Sequence, residues 1–159
     1  MQYYKLIKFN RMIRQSLIIG SFIAGLVNAI INSTRYWFSM KDNYPTIFLT
    51  NDCISSDIPT VFSKAVPLAV SLCLFVTSIA FLTTKMENKP SYFPKYFFKA
   101  LKHCIYAFGL VTMFALLLQK FAGAIEVSHT YASMITGLVS GMVASLVDFE
   151  TKKSLYSNY

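Results

Sequence analysis

The stretch from Glu126 to Val147 constrains the fold most, because it is long and apolar enough to cross a lipid bilayer. Its only charged or imidazole side chains, Glu126 and His129, stand at its beginning. A membrane-spanning helix needs about 20 mainly apolar residues, and it satisfies its own backbone hydrogen bonds where water is absent. The pattern therefore predicts a transmembrane helix over residues 126–147.

Small residues recur every four positions along one side of this predicted helix, and two of them form a GxxxG sequence. In lipid, small side chains allow two helix backbones to approach closely and gain dispersion contacts. We therefore expect a helix-packing seam, through which the protein packs with itself or with a larger membrane complex. The members of the seam are Ser133, Gly137, Gly141 and Ser145.

Composition extends the membrane prediction to the whole chain of 159 residues. The chain is 55% hydrophobic and 14% charged, whereas a soluble domain carries about 25% charged residues. Several long apolar runs cannot all be hidden in one small soluble core. We expect a single membrane domain, an all-α integral membrane four-helix bundle, with spans near residues 16–38, 65–84, 104–121 and 126–147.

A cleaved signal peptide is the alternative for the first apolar run, since a basic start precedes it and Val27-Asn28-Ala29 loosely matches a cleavage site. The run is longer than the apolar core of a typical signal peptide. We therefore expect a retained first span.

Basic residues predict the orientation, because cytoplasmic loops carry an excess of Lys and Arg. Basic-aromatic interfacial segments at residues 2–15 and 89–103 suit an anionic membrane surface, with a lipid-headgroup site as the functional alternative for the second. We expect both termini in the cytoplasm, anionic headgroups at that face, and residence in the bacterial cytoplasmic membrane. Of the 15 Lys and Arg residues, the opposite side receives only Arg35, Lys41, Lys64 and Lys120.

The outer loop, residues 39–62, is polar, and its short apolar patch Ile47-Phe48-Leu49 either lies on the membrane or packs over the bundle. No residue pattern in this loop is typical of a catalytic site.

Polar residues of the first span fall on one helical face, which we expect to turn inward because amides in hydrocarbon need partners. The face holds Ser21, Gly25, Asn28 and Asn32. One interpretation is that the two amides make hydrogen bonds between helices. The other is that they line a polar path together with Ser71 of the second span.

Charged groups gather at the predicted outer end of the spans. Lys64 precedes the second span, Glu126 opens the fourth, and His129 follows one turn later. Three interpretations stay open: the groups face headgroups and water, they form the vestibule of an ion or proton path, or they form a structural clasp between helices.

Enzymatic, metal and nucleic-acid functions find no support in the sequence. It contains no HExxH, nucleophile elbow or phosphate-binding glycine loop. Its two histidines, His103 and His129, are predicted on opposite sides of the membrane, so we expect no metal site and no cofactor. The three cysteines lack metal or redox spacing, no disulfide framework is expected, and the basic charge lacks a nucleic-acid-binding motif.

Two functions of different classes are therefore compatible with the chain. The first is a structural or accessory membrane protein that forms a homo-oligomer or binds a membrane-protein partner. The second is a small oligomeric transporter or channel with a polar path along the first, second and fourth helices. Small four-helix transporters typically use a carboxylate within the membrane, and no predicted span has one at such depth. This favours the accessory function.

Overall fold

The protein is all-α, with four helices that are each long and apolar enough to span a membrane. A computed structural model describes residues 2–40, 47–50, 60–86 and 88–157, and the side chains of the first helix from Gln15 onward. The predicted fold class is thereby confirmed at the level of a small four-helix membrane protein. The helices are α1 (Gln2–Met40), α2 (Val61–Thr83), α3 (Lys95–Ala122) and α4 (His129–Tyr156).

The helices pack in the spatial order α1, α4, α2, α3. α4 contacts α1 on one side and α2 on another, α2 also packs along α3, and α3 touches α4 only slightly. The main core lies among α2, α3 and α4, and most of its side chains are small, including Ala65, Ala69, Cys73, Ala115 and Ala144. Small side chains bring the helix axes close together, as is usual for helices that associate in lipid.

Side-chain caps fix where the inner helices begin. Thr60 and Ser63 form a reciprocal capping box at the start of α2, and Ser128 accepts a hydrogen bond from the Tyr131 backbone at the start of α4. Because α2 begins at Val61, Pro67 lies in the second turn rather than in the first, as the predicted span had it. Its ring has no N–H to donate to the Ser63 carbonyl.

Two short strands join the loops at the end of the bundle where α1 and α3 end. β1 (Ile47–Phe48) pairs antiparallel with β2 (Glu126–Val127), and the Leu49 amide donates to the Ile125 carbonyl at 2.8 Å. Ile47 is buried against the ends of α1 and α2. The apolar patch of the outer loop therefore packs over the bundle rather than lying on the membrane.

Helix boundaries differ from the predicted spans at several ends. α1 begins at Gln2 and α3 at Lys95, so residues 2–15 and the second half of residues 89–103 belong to the helices themselves. Glu126 belongs to β2, because its backbone pairs with Phe48, and α4 begins three residues later. Side chains 2–14, most of the outer loop (residues 41–46 and 51–59) and its Cys53 lie outside the described residues.

Candidate functional site: a cationic cleft between three helices

A cleft of about 470 Å³ opens between α1, α2 and α4 at the strand-bearing end of the bundle. It brings together three residues of the predicted polar path: Asn32, Lys64 and Ser71. Arg35, next on the same face of α1, and Thr136, from the second turn of α4, also line it. The helices thus assemble a polar site from positions far apart in the sequence.

Two cations give the cleft its charge. Arg35 and Lys64 have exposed side chains, and none of the described residues that line the cleft is Asp or Glu. Tyr36, Ser71 and Thr136 also line the cleft. The hydroxyls of Ser71 and Thr136 donate to the Leu68 and Ala132 carbonyls of their own helices, at 2.9 and 3.0 Å. Guanidinium and ammonium groups without a nearby carboxylate are a suitable environment for an anion such as a carboxylate or a phosphate.

The amide-bearing face of α1 turns inward, as predicted. Ser21 and Asn32 are 2% and 8% exposed, whereas Leu26 and Ile30, on the other side of α1, are 51% and 59% exposed. This orientation places Asn32 at the cleft and the lower part of the face against α4.

Among the described residues, the hydrogen bonds of the amides lie within α1 and not between helices, where one interpretation required them. Asn28 Nδ2 donates to the Ala24 carbonyl and Asn32 Nδ2 to the Asn28 carbonyl, both at 2.9 Å and both within α1. A one-turn spacing lets an amide reach back to its own helix, which gives one of its N–H groups an acceptor without a partner helix. The hydroxyl of Ser140 in α4 lies 2.9 Å from the Gly137 carbonyl of its own helix and 3.3 Å from the Asn28 carbonyl of α1, so its one proton is shared between them.

The small-residue seam of α4 packs against α1 directly below the cleft. A methyl group added at Gly137 would lie 2.8 Å from Ser33 Cβ, and one added at Gly141 would lie 2.9 Å from Ala29 Cβ. Gly25 faces the same contact from α1, since an added methyl there would lie 2.7 Å from the Gly141 carbonyl oxygen. The seam is therefore a contact between two backbones within one chain. The prediction that the protein packs with itself or with a larger complex through this seam is wrong in that respect, because α1 of the same chain already covers Gly137 and Gly141.

The serines at the two ends of the seam have different surroundings. Ser133 is buried and donates its hydroxyl to the Thr130 carbonyl at 2.8 Å. Ser145 lies beside Gly25, where a methyl group added to the glycine would come within 2.8 Å of Ser145 Cβ.

Ser21 lies outside the cleft, at the opposite end of the α1–α4 contact. Its hydroxyl donates to Asp148 Oδ2 at 2.7 Å, and Lys152 Nζ contacts the same oxygen at 2.7 Å. Asp148 is only 4% exposed. The sequence prediction missed this buried carboxylate because it ended the fourth span at Val147; the available signal was its position seven residues after Gly141, on the same helical face.

Glu126 and His129 do not join Lys64 in the cleft. Glu126 is exposed on β2, and Lys64 and Glu126 are absent from the ion pairs of the described residues. His129 begins α4 at the cleft end of the bundle, whereas His103 lies near the start of α3 at the other end, with its Nδ1 3.1 Å from Thr77 Oγ1. In the described part of the chain, no three His, Cys, Asp or Glu residues form a metal-binding group.

No protein-family model matches the chain, and neither a curated protein nor a solved structure is significantly similar to it.

Proposed function

We propose that the protein is a small accessory protein of the membrane, which works by associating with itself or with a larger membrane complex. The observation that carries the proposal is the closed α1–α4 seam together with the apolar groove on its outer side. Gly25, Gly137 and Gly141 bring the two backbones together below the cleft and leave no room there for side chains. A bundle closed at this level favours association over passage of a solute between these helices.

The outer side of the seam supports association. There α1 and α4 border an apolar groove of about 370 Å³, with Gly25 and Gly141 among its lining and larger side chains at its edges. In lipid, a helix binds another helix through shape and dispersion contacts, which a groove of this form supplies. Phe22, Leu26, Leu138, Met142 and Leu146 are the larger side chains.

The hydrogen bonds of the buried carboxylate support a non-enzymatic function. Asp148 is bonded to Ser21 and Lys152, so it joins α1 to α4 rather than facing a substrate cavity. We therefore propose that the protein has no catalytic activity of its own. We also propose that it resides in the bacterial cytoplasmic membrane with both termini in the cytoplasm, which the distribution of Lys and Arg supports.

Mass measurement of the full chain in native lipid particles tests the proposal, because these particles retain partners from the membrane. We expect particles that hold two or more copies, or one copy with a stoichiometric membrane partner. A single copy without a partner, at the expression level of the native membrane, would contradict an accessory function.

A second function, transport or channel conduction of an anion, is favoured by one specific observation. The cleft carries Arg35 and Lys64 and, among its described lining residues, no carboxylate. A transported anion would bind between these two cations, and the α1–α4 seam would then have to open to let it pass.

Flux into proteoliposomes separates the two functions. An anionic tracer that enters faster than into empty liposomes, and that Lys64→Gln and Arg35→Gln both stop, would establish transport in place of association. Lys120→Gln is the matched control, because Lys120 is an exposed cation at the same end of the bundle but does not line the cleft. The accessory function predicts equal flux in all of these samples.

A further inference from the structure

A crevice between α3 and α4 changes along its length from cationic to apolar. Its upper part, by which we mean the part at the end of the bundle where α3 begins, has a volume of about 560 Å³ and is lined by Lys95, Lys99 and Lys102. Its lower part, about 270 Å³, is lined by Leu110, Val111, Val143 and Val147. His103, Tyr106 and Glu150 line both parts, so the two form one continuous surface.

The crevice exists because α3 packs along α2 and touches α4 only slightly. Ala107 and Val111 of α3 turn toward the shared core, and their short side chains leave space on the side that faces α4. The space is therefore a consequence of helix packing and not of a loop conformation.

Positive charge dominates the upper part. Lys99 Nζ donates to the Glu150 carbonyl at 2.8 Å, which holds its ammonium group between the two helices. Lys102 Nζ lies 5.6 Å from the centre of the Tyr106 ring. Glu150 is the one carboxylate among the described lining residues, and its Oε1 lies 3.7 Å from Lys153 Nζ. The lysines thus outnumber the acid, which has a cation of its own.

The cationic part of the crevice lies nearer the end of the bundle than the apolar part, which is the order that a bound phospholipid requires. The lysines occupy the first turns of α3, at the end of the bundle, and the apolar residues begin one to two turns further toward its middle. An anionic headgroup sits at the membrane surface, and its acyl chain runs toward the bilayer centre. The lysines therefore lie where the headgroup phosphate would be, and the apolar residues lie where the acyl chain would be.

We propose that this crevice is a binding site for one anionic phospholipid. Lys99 and Lys102 bind the headgroup phosphate, and one acyl chain lies along Val111, Val143 and Val147. A general attraction of lysines to an anionic surface would require no apolar cavity beneath them, so the lower part of the crevice distinguishes a site from a charged surface.

Thermal unfolding of the purified full chain in neutral detergent tests the proposal. Phosphatidylglycerol and phosphatidylcholine with the same acyl chains are added in parallel, and glycerol 3-phosphate and inorganic phosphate are the headgroup-only additions. We expect the melting temperature to rise with phosphatidylglycerol alone. An equal rise with phosphatidylcholine would exclude charge recognition, and an equal rise with either soluble phosphate would exclude a lipid as the ligand.

Substitutions then locate the site. Lys102→Gln is expected to weaken the phosphatidylglycerol affinity about fivefold, since one lysine near an anionic surface contributes about that factor. Lys85→Gln is the matched control, because Lys85 is exposed at the same end of the bundle and does not line the crevice. Equal affinities of the two variants would overturn the headgroup assignment.

A larger side chain in the apolar part of the crevice tests whether an acyl chain binds there. Val143→Phe should reduce the phosphatidylglycerol-specific rise in melting temperature, whereas Met142→Phe, whose side chain faces the other groove, should leave it unchanged. The difference between the two lipids is the quantity compared, so a general loss of stability in either variant does not affect the result. An unchanged rise in Val143→Phe would overturn the proposal.

Discussion

The α1–α4 contact and the α2–α3 contact both bring two helices close together, but they do so with different groups. Between α1 and α4, glycines allow the backbones to touch, and the Ser21 hydroxyl bonds to Asp148 across the contact. Between α2 and α3 the partners are mainly small apolar side chains, among them Cys73 and Ala107. Side chains can adjust to a changed neighbour, whereas a backbone cannot. The first contact should therefore tolerate far less change than the second.

Enlarging a seam glycine should have the largest effect. Gly141→Leu places a side chain against the Gly25 carbonyl and Ala29 Cβ, which the helix backbones cannot avoid without separating. We expect a loss of about 3 kcal/mol or more in the free energy of unfolding, and a similar loss for Gly137→Leu.

Gly109→Leu on α3 is the matched control for the seam, because no atom of the described residues lies within 4 Å of the methyl group that a side chain would add there. Unfolding by denaturant in detergent should leave this variant as stable as the wild type or slightly more stable. Equal losses of stability for Gly109→Leu and Gly141→Leu would show that the close α1–α4 contact is not what makes Gly141 sensitive to substitution.

Removing the hydroxyl of Ser21 should have the next largest effect. Its hydrogen bond to Asp148 joins α1 to α4 at a buried carboxylate, and hydrogen bonds to charged groups contribute about 2 kcal/mol. We expect Ser21→Ala to lose about that amount in unfolding experiments. Ser157→Ala, at an exposed position after α4, should lose almost nothing; a comparable loss there would show that the Ser21–Asp148 bond contributes no particular stability.

Removing a side-chain atom from the α2–α3 contact should lower the free energy of unfolding by a smaller amount. Cys73 is fully buried in the main core, and Cys73→Ala removes one atom from a surface that neighbouring side chains can partly refill. We expect a loss of about 1 kcal/mol, measured by the same unfolding experiment. A loss as large as that of Gly141→Leu would mean that both contacts are equally rigid.

Neutralising the cleft should have the smallest effect on stability. Lys64 is exposed, and Lys64→Gln removes a charge that forms no ion pair with the described residues. We expect a change within about 0.5 kcal/mol in the unfolding free energy. A clear gain in stability would indicate that the repulsion between Lys64 and Arg35 is strong, as expected of a site that binds an anion tightly.

Local patterns predicted most of the fold. Apolar length predicted four helices, and the helical spacing of Ser21, Asn28 and Asn32 predicted which side of α1 turns inward. Both properties depend on a single segment and its solvent, so one sequence is enough to read them.

Contacts between distant segments could not be read in this way. Pairing of Phe48 with Glu126 depends on two loops that meet only when the helices have packed, and it moves Glu126 out of α4. The bond between Ser21 and Asp148 likewise joins residues 127 positions apart. Asn32, Lys64 and Ser71 were predicted to share a path and do share a cleft, while Arg35 and Thr136 join it through the crossing of the helices.

Photocrosslinking from the α1–α4 groove in native membranes tests the accessory function most directly. A photoreactive phenylalanine analogue replaces Met142 in the groove or, as the control, Ile105 on the exposed side of α3; the two residues are 59% and 70% exposed. Association through the groove predicts a discrete adduct with a second copy or with one membrane partner from position 142, and none from position 105. Equal adducts from both positions, or adducts from position 105 alone, would contradict association through this groove.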